Sequence, residues 1–112
     1  MELKWVNTLN TLVKGIGNFG KANPPVLQAV QQLDAATRVN KVLDDKTHEL
    51  IALAVAVTTR CDGCLSAHVH AAKKAGATKE EIAEALGTAI ALNAGAAFVY
   101  STRVMDAYDE MS

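Results

Sequence analysis

Both cysteines of the chain and two of its three histidines fall within the stretch RCDGCLSAHVHAA, residues 60–72. Such residues at such spacing support zinc binding, covalent haem attachment, thiol–disulfide chemistry, or two thiols that only pack. On a helix turning about 100° per residue, Cys64 lies about 300° from Cys61, His68 about 340° and His70 about 180°. Cys61, Cys64 and His68 therefore share a face, and His70 points away. That leaves a zinc ion three ligands, with no second cysteine pair to complete the set. Haem attachment requires a histidine directly after the second cysteine, where Leu65 stands.

The contest is then between inert thiols and a reactive pair. A free cysteine is often a small buried hydrophobe. A Cys-x-x-Cys at the start of a helix, however, sits among unsatisfied backbone N–H groups that favour a thiolate, and it can close into a small disulfide ring. A histidine at i+4 from Cys64 can take the thiol proton. Together these favour redox chemistry. Glu49 is the next candidate. Taken alone it is a solvated acid favoured by the dipole of the helix whose first turn it occupies. If that helix packs antiparallel to the next across a short turn, its carboxylate reaches His68 and orients the imidazole.

These residues need helices to hold them. Apolar residues at 6, 9, 13 and 16 mark a first helix from Leu3 to Ile16. Pro24 and Pro25 suit the first turn of a second, ending near Asn40, with Val26, Val30, Leu33 and Ala36 toward a core. Asp44 is the expected N-cap of a third, apolar all round from Leu50 to Val57 and hence central. The fourth starts at or just before Cys61 and runs to Ala75, with Gly76 placed to cap it. Thr78 and Glu81 form a capping-box pattern that opens a fifth. A sixth runs from about Ala94 to Tyr108, the two meeting at Asn93 to Gly95. GIGNFG, residues 15–20, has dinucleotide-loop glycine spacing, but no strand precedes it and it opens no helix, so it reads as a flexible hinge. His48 and His70 are expected to face solvent, and Tyr100 to lie in the core.

The composition agrees. Aromatics are only 4% of the chain while alanine occurs 20 times, which favours closely packed helices over strands. The expectation is one all-α domain over residues 1–112, a compact bundle of about six helices. A net charge of −1, from 11 basic and 12 acidic residues spread along the chain, offers nothing to a polyanion, so nucleic acid and membrane surfaces are not expected partners. Residues 85–102 are uncharged for long enough to raise the question of a membrane span, but Thr88, Asn93, Gly95 and Ser101 make them too polar. MELKWVNTLN lacks the features of a signal peptide, and a cytoplasmic protein is expected.

Residues 46–86, KTHELIALAVAVTTRCDGCLSAHVHAAKKAGATKEEIAEAL, closely resemble the core of the alkylhydroperoxidase D-like proteins of the carboxymuconolactone decarboxylase family. The likeness continues more loosely through GTAIALNAGAAFVYSTRVMDAY, covering about two thirds of the chain. A glutamate twelve residues before a Cys-x-x-Cys, with a histidine four residues after the second cysteine, is much rarer than the pair alone. The resemblance implies that Cys64 attacks peroxide, Cys61 resolves it as a disulfide, and Glu49 and His68 form the proton relay. The family members that decarboxylate a muconolactone lack the cysteine pair, so the likeness points to redox chemistry. One departure is Gly63, where the best described peroxidase of the family has a further relay histidine. The resemblance also implies a homotrimer or homohexamer, an external dithiol reductant of the lipoyl type, and no bound cofactor or metal. The expected function is a thiol-dependent peroxidase or disulfide reductase. The alternatives are a non-catalytic oligomeric binding or scaffold protein, and a family enzyme with non-redox activity.

Overall fold

A computed structural model describes residues 3–111. The fold is all-α, with five helices in the described residues: α1 Lys4–Ala22, α2 Pro24–Ala36, α3 Asp45–Thr59, α4 Asp62–Lys74 and α5 Lys79–Glu110. Local chemistry sets most of the boundaries. Asn23 Oδ1 accepts from the Val26 N–H ahead of the two prolines that open α2. Asp44 Oδ1 accepts from the Thr47 N–H at 2.8 Å to start α3. Arg60, in the left-handed conformation at φ 56°, ends that helix, and the Cys61 N–H bonds back to Ala56 O. At the end of α4, Gly76 takes φ 89°. The Gly76 and Ala77 N–H groups return to the carbonyls of Lys73 and Ala72, the paired bonds of a Schellman stop. Thr78 and Glu81 exchange both hydrogen bonds of a capping box at α5.

Two expected breaks are absent, which is why there are five helices and not six. The GIGNFG segment is not a hinge, because α1 continues through it to Ala22. The glycines cost helix propensity, but α1 and α2 form a hairpin. A Cβ at position 20 would strike the Leu27 side chain, so Gly20 is what lets the two helices approach. The expected break at Asn93 to Gly95 is likewise bridged, and Asn93 Nδ2 donates to Thr58 Oγ1 of α3 at 2.9 Å. α2 also stops earlier than expected, at Ala36.

α3 packs on both α4 and α5, and α1 on α4. The buried apolar centre is small: Leu53, Ala56 and Ala72. The two alanines let α3 and α4 lie close together. α3 is central as expected but not covered all round, since Ile51 and Val55 are exposed. Elsewhere the expected core faces lie open. Val26, Val30 and Leu33 of α2 are exposed, and Tyr100, expected inside, is 67% exposed. From Ile90 to Met111 every described residue is exposed. The radius of gyration is 18.4 Å, against about 13 Å for a closed globule of about 100 residues. The chain folds as a packed centre with two apolar arms, and it does not close on itself. Among the described residues α5 alone is long and apolar enough, by length and composition, to cross a membrane.

Candidate active site

Glu49 and His68 owe their meeting to the turn at Arg60 and Cys61, which reverses the chain and lays α4 against α3. Glu49 lies on the same face of α3 as Leu53 and Ala56 and is only 4% exposed. It is thus not the solvated first-turn acid that it resembles in isolation. A carboxylate so placed must be paired, and it is paired at both oxygens. Oε2 lies 2.7 Å from His68 Nδ1. Oε1 accepts from Arg38 Nη2, and Arg38 Nη1 reaches Asp45 Oδ1 at 3.1 Å. Because a carboxylate can only accept, Nδ1 carries the proton in that bond, and the free lone pair of a neutral imidazole falls on Nε2. The Glu49 bond also holds the Arg38 guanidinium still further above its ordinary pKa.

Cys61 and Cys64 are joined as a disulfide, with Cα atoms 5.2 Å apart. Both are half-buried, as is His68. Cys61 is the N-cap of α4, and its sulfur accepts from the Cys64 N–H at 3.1 Å. The pair therefore sits where backbone donors stabilise negative charge on sulfur. In this oxidised form no hydrogen bond joins His68 to either sulfur among the described residues. Its place one turn after Cys64 puts it on the cysteine face of α4. His70 points away as expected and is exposed, while His48 is half-buried and not fully solvated. No cluster of three or more His, Cys, Asp or Glu able to hold a metal ion occurs among the described residues.

Gly63 takes part through its lack of a side chain. A Cβ there would lie 3.1 Å from Leu12 Cδ1 of α1, so the room that a larger residue would use is taken by the first helix. A cavity of about 500 Å³ lies elsewhere, among Trp5, Leu9, Leu53, Leu65, Val69 and Leu86, and none of the four candidate residues lines it. Arg38 and Asp45 are the members of the cluster that the sequence does not announce. Arg38 lies in the linker after α2 and belongs to no periodic pattern.

Comparisons with known proteins give the family. A model of the carboxymuconolactone decarboxylase family matches residues 24–107. An uncharacterized protein of Haemophilus influenzae is 57% identical over 108 residues, covering 96% of each chain. Uncharacterized protein 4 in the cox locus of Paracoccus denitrificans is 34% identical over 96 residues, covering 86% of each. The crystal structure of a carboxymuconolactone decarboxylase family protein from Legionella pneumophila superposes with a TM-score of 0.77 at 31% identity, covering 97% of both chains. With the family match, the similar fold and the Glu/Cys-x-x-Cys/His hairpin in place, the chain belongs to the carboxymuconolactone decarboxylase family, as an alkylhydroperoxidase D-like member.

Proposed function

We propose that the protein is a thiol-dependent peroxidase or disulfide reductase. The observation that carries this reading is the buried Glu49 carboxylate bonded to His68 in the same helical hairpin as a cysteine pair at disulfide distance. In the reduced protein, His68 Nε2 takes the proton of Cys64. The thiolate attacks the terminal peroxide oxygen and the O–O bond breaks. The leaving alkoxide or hydroxide then collects the proton from the imidazolium, and Cys64 is left as a sulfenic acid. The Cys61 thiol displaces the hydroxyl as water and closes the disulfide. An external dithiol, of the lipoyl type that the family likeness implies, reopens it by two exchanges and is itself oxidised.

Stoichiometric peroxide should consume two thiols per reduced chain and yield an intramolecular disulfide. No thiol loss would sink the reading and leave an oligomeric scaffold whose thiols only pack. The helix N-terminus favours Cys61 as nucleophile and the histidine favours Cys64. A base removes the proton directly whereas the dipole only biases it, so Cys64 attacks. Cys61→Ser should still form a sulfenic acid that dimedone traps, and trapping seen only in Cys64→Ser would reverse the roles.

The bare apolar faces of α2 and α5 are covered by copies of the same chain in a trimer or hexamer, since open faces of this extent are not stable in water. A reducing compartment such as the cytoplasm suits a pair that must return to thiols in each cycle.

A further inference from the structure

Glu49 shares its charge between two partners, and only one of them is needed to hold the histidine. The other, Arg38, is a permanent cation that bridges Glu49 on α3 to Asp45 at the start of the same helix. It is 33% exposed at its side chain, whereas the Glu49 side chain is 6% exposed, so the bond is made at the rim of the buried carboxylate. We infer that Arg38 is a positioning residue of the relay that sets the pH at which His68 releases its proton. This rests on the reading of the site as a thiol peroxidase relay.

The argument is one of charge. With Arg38 present, its charge offsets one of the two carboxylates it bonds, Glu49 and Asp45, and protonating His68 brings the four groups to neutrality. Without it, the buried Glu49 carboxylate faces the imidazole with no cation beside it, and protonating His68 still leaves the three remaining groups net negative. A nearby like charge disfavours the protonated ring and an unshared opposite charge favours it. Arg38 therefore keeps Glu49 strong enough to orient His68 but too weak to hold the proton that must pass to the leaving oxygen.

The other charged groups around His68 do not substitute for it. On α3, Glu49 alone bonds the ring, Lys46 is taken by Glu81 at 2.8 Å, and His48 makes no ion pair. The cations of α1, Lys4, Lys14 and Lys21, pair with neither Glu49 nor His68 among the described residues, and α1 meets the site through Leu12 at Gly63. On α4 itself, Asp62, His70, Lys73 and Lys74 make no side-chain bond to the ring.

The test is the imidazole titration of His68, followed by the Cε1–H signal in NMR and assigned with His68→Gln. It is run on wild type, Arg38→Met, Arg38→Gln and Arg38→Lys, each checked for helical content. Arg38→Gln keeps an N–H donor for Glu49 without the charge, and it serves if the Met variant fails to fold. The His68 midpoint should rise in the neutral variants and stay near the wild-type value in Arg38→Lys. The pH window of peroxide-driven disulfide formation should move upward with it. An unchanged or lowered midpoint in a folded neutral variant overturns the inference. So does an Arg38→Lys midpoint displaced as far as that of Arg38→Met, because a residue that only clamps the linker would act through shape and not charge. If wild type forms no disulfide with peroxide, the peroxidase reading fails while the titration still decides the role of Arg38.

Discussion

The α3–α4 hairpin and the distal half of α5 are both regular, alanine-containing helix, yet one makes its own cover and the other has none. In the hairpin Glu49, Leu53, Ala56, Ser66 and Ala72 are all buried. In α5, the residues from Ile90 onward are exposed, with Phe98 at 76% and Tyr108 at 79%. Both regions are helical, and what separates them is whether another helix of the chain packs against them. The buried residues of the hairpin are covered by the chain's own helices, whereas the distal half of α5 lies open.

Substitutions can break this contrast. Leu53→Ala, in the centre of the hairpin, should cost about 2–5 kcal/mol in urea unfolding. A loss below about 1 kcal/mol would show that the hairpin is no better packed than the arm. Phe98→Asp should leave the protomer helical but weaken self-association by about 2 kcal/mol, roughly thirty-fold in dissociation constant, as read by analytical ultracentrifugation. A concentration-independent destabilisation like that of Leu53→Ala would instead place Phe98 in a protomer core.

A functional substitution sharpens the contrast within the hairpin. Glu49→Gln should slow peroxide-driven disulfide formation about ten-fold or more. His68→Gln should act similarly, and the double variant should be little worse than either, because groups that act as a unit are not additive. Raising the pH should partly rescue all three by supplying thiolate directly. Wild-type rates in Glu49→Gln at neutral pH would reduce the buried carboxylate to a structural part. The smallest effect lies at the border of the two regions. Hydrogen bonding to Lys46 holds the Glu81 carboxyl below its ordinary value of 4.5. A lowered pKa stabilises above the unfolded value and fades as pH falls through the folded one. Glu81→Gln should therefore narrow the stability gap between pH 6 and acid, measured by thermal unfolding as a function of pH.

Much of this architecture is legible in the sequence because it is local. Asp44, Thr78 with Glu81, Pro24 with Pro25, and Gly76 act within one helical turn, and each stands where the pattern puts it. What misleads is intrinsic propensity overridden by packing. The glycines of GIGNFG and the Asn93 to Gly95 step read as breaks, yet both segments are helical, with Gly20 beside the Leu27 side chain and Asn93 bonded to Thr58. The α2 residues expected to face a core, Val26, Val30 and Leu33, share a face but lie exposed. The Cys-x-x-Cys and His68 are legible by spacing, and Glu49 by standing twelve residues before the first cysteine, although taken alone it reads as a solvated acid. Arg38 is not, because a linker side chain reaching across eleven residues leaves no periodic trace.

The turn at Arg60 and Cys61 has a consequence in time as well as in space. Arg38 to Glu49 spans 11 residues, Glu49 to His68 spans 19, and the cysteines are 3 apart. Contacts of such low order form early, since loops of about ten residues close in about 10–100 ns. Any cover for the apolar arms from another chain could come only by a bimolecular encounter. The two cysteines and the Glu49–His68 pair therefore come together within a single chain. Its disulfide should form at a rate independent of protein concentration, even at dilutions where the chain stands alone.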